Sequence, residues 1–175
     1  MGFELNNWLN EKDYKKVQQS VPIATIDILP ISYIVEKKRI PESIGLIRRE
    51  TADEGIKWCV IGGRLLYGES FWSGVLRQIR ETLGGEVRIL SEIKDQQPLF
   101  VAQYFPDGNP PFLRDPRQHT VGLTYALELN GKVIPQGEAL EFKWFHMTDL
   151  PINTDFGFNH DRLVRSLIQR LNKRN

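Results

Sequence analysis

One cysteine, Cys59, stands among 175 residues, so no intramolecular disulfide can form. It lies in the apolar run "WCVI", the setting of a small buried hydrophobe rather than a reactive thiol. No apolar run approaches the roughly 18 residues that span a bilayer. Charge of one sign is also lacking: 23 basic against 22 acidic residues leave a net +1, with no Lys/Arg-dominated segment to mark a nucleic-acid footprint. The opening "MGFELNNWLNEKDYKK" has no continuous apolar core, so no secretory leader is expected. It begins Met-Gly, but Asn6 stands where a myristoylation signal wants Ser or Thr. The chain reads as cytoplasmic, with neither a nucleic-acid nor a membrane partner.

What is present is ordinary for a soluble domain: 41% hydrophobic and 26% charged residues, in a length able to bury about two-thirds of its surface. "NEKDYKKVQQ" (10–19) suits a short helix capped by Asn10 and closed off by Pro22. "IATIDILPISYIVE" (23–36) reads as a strand with a bulge or an edge at Pro30. Further strands are expected at 43–50, 57–61, 86–94, 98–105, 119–129 and 140–147. Between Gly62-Gly63 and Gly84-Gly85 a helix is expected over about 70–83, its apolar stripe formed by Phe71, Val75, Ile79 and Leu83 and widened by Trp72 and Leu76. "NHDRLVRSLIQRL" (159–171) reads as a terminal helix, and the Pro-rich 106–118 is too long for a mere hairpin. The order predicts an α+β fold, a mixed sheet with helices on its faces.

The charged residues admit two readings each. Arg77 and Glu81 are four apart and could be an exposed ion pair worth at most about 0.5 kcal/mol. Arg49, Arg64 and Arg77 straddle the glycine turn, where guanidinium forks suit phosphate as well as solvent. Asp27 is the one acid in "IATIDILPI", and a carboxylate in an apolar strand needs a partner or a task. His119 opens a strand after the long loop and could serve structure or substrate, whereas His146 and His160 are assigned to structure.

A resemblance bears on these readings. Gly63, five residues, Glu69, seven residues, Arg77, then Ile79, Glu81 and Gly84 resembles the Nudix box, matching six of its nine specified positions. It departs at Gln78 and Thr82, where the box has Glu, and at Gly85, where it has an aliphatic residue. The order of strands and the late "EFKWFHMTDLP" are similar to that superfamily too. The resemblance implies a Nudix fold, a mixed β-sheet sandwiched between α-helices, as one domain over 1–175 with 1–21 as a helical extension. It also implies a hydrolase using Mg²⁺, with Mn²⁺ as the alternative, because carboxylate oxygens suit a hard cation bridging a diphosphate.

Within the superfamily, "DYKKVQQSVPIATID", "RRETADEGIKWCVIGGR" and "RQHTVGLTYALEL" resemble the branch of GDP-mannose mannosyl hydrolases. That resemblance implies a nucleotide-sugar substrate and a homodimer, with a contact around Trp8 and Tyr14. It puts Arg49, Arg64 and Arg77 on the diphosphate and Asp27 and His119 on the sugar or leaving group; its metal-ligand Glu falls at Thr82, so the metal is expected on Glu81, the position ordinary Nudix enzymes keep, with Gly62 and Glu138. The branch's loop pair Gln-His reads Glu138-Ala139 here, so Glu138 would replace its base, with Glu141 a weaker substitute. The same departures admit a second function, a nucleotide-sugar binding module that has lost catalysis.

Overall fold

A computed structural model describes residues 9–33, 41–90, 97–109 and 111–174. In chain order they form α1 (Glu11–Ser20), β1 (Ile23–Tyr33), β2 (Pro41–Glu50), β3 (Ile56–Cys59), β4 (Ile61–Arg64), α2 (Phe71–Leu83) and β5 (Arg88–Ile89). There follow β6 (Phe100–Phe105), β7 (Leu113–Arg114), β8 (Thr120–Asn130), β9 (Glu141–His146), a 3₁₀ turn (Asn153–Asp155) and α3 (His160–Arg174). The fold is α+β, as expected.

The sheet is built on a parallel pair, β1 and β8, in register from Ile23↔Thr120 to Ile31↔Glu128. The path β3-β2-β1-β8-β6-β7 runs outward from it, with β4 on β1, β5 on β8 and β9 on β2. β1 is buried without a break from Thr25 to Ile31, the near-continuous apolar pattern of a strand covered on both faces. Its antiparallel neighbour changes along its length. β4 pairs with Thr25 through Ile28, and β2 takes over from Ile31. Pro30 falls in the gap between the two ladders, where no antiparallel partner needs its N–H. The strand is therefore central rather than an edge, and its irregularity lies at Ser32/Tyr33 instead of Pro30. Gly45 lies against that proline, where a Cβ would stand 2.8 Å from the Pro30 ring and 2.6 Å from Phe142.

The helices follow their caps. Asn10 accepts the Asp13 N–H at 2.9 Å, and Ser70 accepts the Ser73 N–H at 3.1 Å. The buried face of α2 is Gly74, Val75, Gln78, Ile79, Thr82 and Leu83, while Phe71 and Leu76 are half exposed. The expected stripe is thus rotated, because two of its inward positions are polar and face a cavity rather than the core. Gly74 lets α2 close on β1, since a Cβ there would stand 3.2 Å from Ile26 Cγ1. On α3, Leu163, Val164 and Leu167 enter the core, with Ile168 and Leu171 packed at its margin. The strand expected over 86–94 reduces to Arg88–Ile89 in the described residues, and 91–96 lie outside them. No helix among the described residues is long and apolar enough to cross a membrane.

Candidate active site

A cavity of about 580 Å³ opens between α1, α2 and one end of the central strands. At its floor is Asp27, 6% exposed, on β1 opposite Gly62 of β4. Two glycines make room for its carboxylate. A Cβ on Gly62 would lie 2.8 Å from Asp27 Oδ1, and one on Gly122 would lie 2.2 Å from Oδ2. The Tyr104 hydroxyl donates to Oδ2 at 2.9 Å. Behind it, His160 Nε2 lies 3.3 Å from the same hydroxyl, while its Nδ1 accepts the Val60 N–H at 3.2 Å. That acceptor role leaves the imidazole proton on Nε2. Burial lowers the His160 pKa to about 3, so the ring is neutral. Burial also raises the Asp27 carboxyl to about 7, against the Tyr104 hydrogen bond and with the help of nearby Asp115. Gly122→Ala is expected to drive the carboxylate out of its seat and cost about 1–3 kcal/mol, read as a lower urea midpoint at unchanged slope.

Glu69 and Arg77 form a brace rather than a surface pair. Both side chains are 11% exposed, and Arg77 holds Glu69 through Nε at 2.7 Å and Nη2 at 2.9 Å. Nη2 also donates to the Arg64 carbonyl at 3.0 Å, and Nη1 reaches Glu81 at 3.1 Å. Glu69 in turn accepts the Leu66 N–H at 3.0 Å. The pair ties the loop after β4 to α2, and Arg77 spends its donors on protein groups. It was expected on a diphosphate; the geometry makes it the part that positions Arg64 and Glu81.

The segment before β9 folds onto the C-terminal end of α2. Ile134 and Gln136 donate their N–H groups to the Leu83 and Thr82 carbonyls at 2.8 and 3.0 Å, and Gln136 Nε2 donates to Arg80 O at 2.7 Å. Orphan carbonyls of the helix are thereby satisfied. Gly137, at φ +61°, packs against Glu81 O, where a Cβ would come within 2.9 Å. This docking carries Glu138 into the same cavity as Glu81. Glu138 pairs with Arg49 at 2.6 Å, and its Oε1 is buried with no hydrogen-bond partner among the described residues. Burial raises its pKa, opposed by Arg49 and Arg117. Glu141 instead lies on β9, paired with Arg48 at 3.7 Å.

Seven of the eight expected site residues line this one cavity: Asp27, Arg49, Gly62, Arg64, Arg77, Glu81 and Glu138. His119 does not. Its ring stacks on Phe105, with centroids 4.4 Å apart, because the end of β6 runs beside the start of β8. Arg64 lies over the Tyr14 ring at 4.2 Å, and Tyr14 donates to Gln118 at 3.2 Å, so α1 is a wall of the cavity. Trp8, expected with Tyr14 at a dimer contact, lies outside the described residues. Tyr104, Arg117, Phe158 and His160 line the cavity without having been singled out as site residues. The aromatic and basic residues of the Pro-rich loop offered only a weak signal, and nothing in the sequence placed the start of α3 beside Asp27.

Among the described residues, no group of three or more His, Cys, Asp or Glu could hold a metal ion. The carboxylate positions missing from the box, Gln78 and Thr82, are buried and neutral. Gln78 crowds Gly63, where a Cβ would fall 2.2 Å from its amide nitrogen. Two carboxylates, Glu81 and Glu138, remain. They suit a Mg²⁺ that keeps waters and shares phosphate oxygens, and they do not suit a dense multi-metal cluster.

A model of the family DUF4916, a domain of unknown function, matches residues 4–172. The chain belongs to this family. No curated protein matches it. Among solved structures, this DUF4916 chain is similar to a protein from Jonesia denitrificans described as a possible asymmetric diadenosine tetraphosphate hydrolase. That match has 25% identity and a TM-score of 0.73, covering 87% of this chain and 96% of the other. It is also similar to a MutT Nudix hydrolase from Burkholderia pseudomallei, at 20% identity and TM-score 0.62, covering 86% and 98%. An ADP-ribose pyrophosphatase from Streptococcus suis follows at 16% and 0.53, covering 88% and 92%. The DUF4916 chain has the Nudix fold.

Proposed function

We propose that the chain is a divalent-metal-dependent hydrolase of a nucleoside diphosphate derivative, specifically a nucleotide sugar, acting in the manner of GDP-mannose mannosyl hydrolase. The observation that carries this reading is the single cavity in which Asp27, Glu81 and Glu138 meet Arg49 and Arg64 beside the glycine turn. The likeness to the Jonesia protein supports hydrolysis of a nucleotide derivative.

Arg49 and Arg64 neutralise the diphosphate and stabilise it as a leaving group. Glu81 and Glu138, with the Gly62 carbonyl, would hold Mg²⁺ or Mn²⁺, which when bound supplies Lewis-acid polarisation of phosphate oxygen. Glu138, kept above the ordinary carboxylate range by burial, takes the proton of the attacking water. Asp27, fixed by Tyr104, offers its carboxyl to the sugar or the leaving group.

Incubation with Mg²⁺ or Mn²⁺ and a panel of nucleotide sugars and dinucleoside polyphosphates tests this. Free sugar among the products indicates attack at carbon, and sugar phosphate indicates attack at phosphorus. Glu81→Gln is expected to abolish metal-dependent turnover, and Glu138→Gln to lower kcat by about 10²–10⁴; wild-type rates in Glu81→Gln would refute the metal assignment. A second reading, a nucleotide-sugar binding module, is favoured by the neutral Gln78 and Thr82 on the buried face of α2. Tight binding without turnover of any substrate would establish it in place of the first.

A further inference from the structure

The long loop brings Arg117 to the cavity beside Arg49 of β2, and the approach to α3 sets one strained aromatic residue next to them. Phe158 and Asn159 both have φ 58°, a left-handed conformation that costs a non-glycine residue on the order of 1 kcal/mol or more. The conformation is held from both sides. The Phe158 N–H donates to Glu54 Oε2 at 2.9 Å, and its carbonyl accepts the Arg114 N–H at 3.3 Å. The result is an aromatic ring on the cavity wall with two guanidinium groups beside it: Arg117 at 5.3 Å and Arg49 at 5.7 Å from its centroid. Both distances lie within cation–π reach, which keeps each fork near the ring.

Arg117 is itself oriented by Asp115, through Nε at 2.8 Å and Nη2 at 3.0 Å. Asp115 is buried, while the Arg117 side chain is 45% exposed, so the arginine is anchored at one edge and open toward the cavity. Glu138 acts on both arginines from inside the cavity. It pairs with Arg49 at 2.6 Å and is drawn toward ionisation by Arg49 and Arg117 together. Its second oxygen, Oε1, is buried with no hydrogen-bond partner among the described residues. A buried carboxylate oxygen left unpaired costs free energy that an arriving ligand or water can recover.

We propose that Arg117 and Arg49 form an anion seat on the Phe158 side of the cavity, that this seat takes the diphosphate of a nucleotide, and that Glu138 is its intrachain competitor. Entry of the diphosphate exchanges one anion for another on Arg49 and releases Glu138 toward the glycine turn and Glu81. The inference rests on the reading of the cavity as a diphosphate site, and adds to it a ligand residue and an order of events.

Binding without turnover tests it. Isothermal titration of inorganic pyrophosphate, and separately of ADP and GDP, is carried out on the full chain in EDTA at two salt concentrations. Glu138→Gln is expected to bind pyrophosphate at least threefold more tightly than wild type, because the internal competitor has lost its charge. Arg117→Gln is expected to bind at least tenfold more weakly, with a shallower salt dependence, and Arg117→Lys to fall between. Should Arg117→Gln fail to fold because it strands buried Asp115, Glu138→Gln and Arg117→Lys decide the matter. Weaker binding by Glu138→Gln, Arg117 variants within twofold of wild type, or no binding of any probe by Glu138→Gln would overturn the seat. Because metal is chelated, these outcomes are separate from the hydrolase reading. A chain showing this binding pattern but no turnover keeps the seat and loses the hydrolase, and the converse result does the reverse.

Discussion

Arg77→Ala is expected to destabilise the fold by about 3–5 kcal/mol, the loss that follows when one partner of a buried ion pair is removed. The figure applies because both side chains are only 11% exposed and Glu69 keeps just the Leu66 N–H once the guanidinium is gone. Hydrogen bonds from Arg77 hold the Glu69 pKa below its ordinary value, so the variant loses the group that stabilises this carboxylate in its charged form. For a chain of this length the midpoint of thermal unfolding should fall by roughly 10 °C. Arg77→Lys should recover little, since one ammonium cannot cover Glu69, Glu81 and the Arg64 carbonyl together. Thermal melts of the two variants check this, and a loss within 2 °C of wild type would place the brace outside the stability of the fold.

Asp27→Asn is expected to do the opposite, raising stability at alkaline pH. A carboxyl whose pKa stands at about 7 in the fold and at 3.8 when unfolded holds its proton longer in the native state. At this site the native state therefore binds more protons between about pH 4 and 7, and the contribution of Asp27 to stability falls as pH rises through that window. Above pH 7 the burden is complete and on the order of 4 kcal/mol. The groups around it explain the size. Tyr104 donates one hydrogen bond, His160 is neutral, and Asp115 adds a like charge, so among the described residues no cation offsets the burial of the carboxylate. Asparagine keeps the shape and can still accept from Tyr104 while removing the charge. Urea denaturation of both chains from pH 5 to 8.5 should show the stability difference growing in favour of Asp27→Asn up to about pH 7 and constant above it, a difference from which the opposite contribution of neutral His160 cancels. Equal profiles would remove Asp27 as the source. The variant should also lose activity if the carboxyl serves the sugar or leaving group, the usual trade of stability against function.

Much of this architecture was legible in the chain. The cap Asn10, the breaks at Pro22 and Gly84 and the apolar run of β1 follow local rules that act over a few residues. The spacing from Gly63 to Gly84 located the box, and seven of the eight expected residues do share a cavity. His119 shows where this stops. A histidine at the start of a strand has no sequence-level sign of which side it faces, and the neighbouring Phe105 took it as a stacking partner. Pro30 is similar, since a proline inside a strand signals a bulge or an edge unless two different strands divide the neighbouring ladder.

By itself, then, the sequence determined the α+β order of elements, the glycine-bounded helix and the list of charges that a diphosphate site would need. Periodicity, capping and fixed spacing along a helix are properties of adjacent residues, so they survive without a fold. Only the tertiary structure decided which charges remain for a ligand. It turned Arg77 into an internal brace, because Glu69 lies eight residues away across a loop and not on the same helix face. It brought His160 behind Tyr104 and Asp27, and set Arg117 and Phe158 against Arg49 and Glu138. Those meetings join segments as much as 133 residues apart, the separation of Asp27 and His160 along the chain, and only packing fixes such distances.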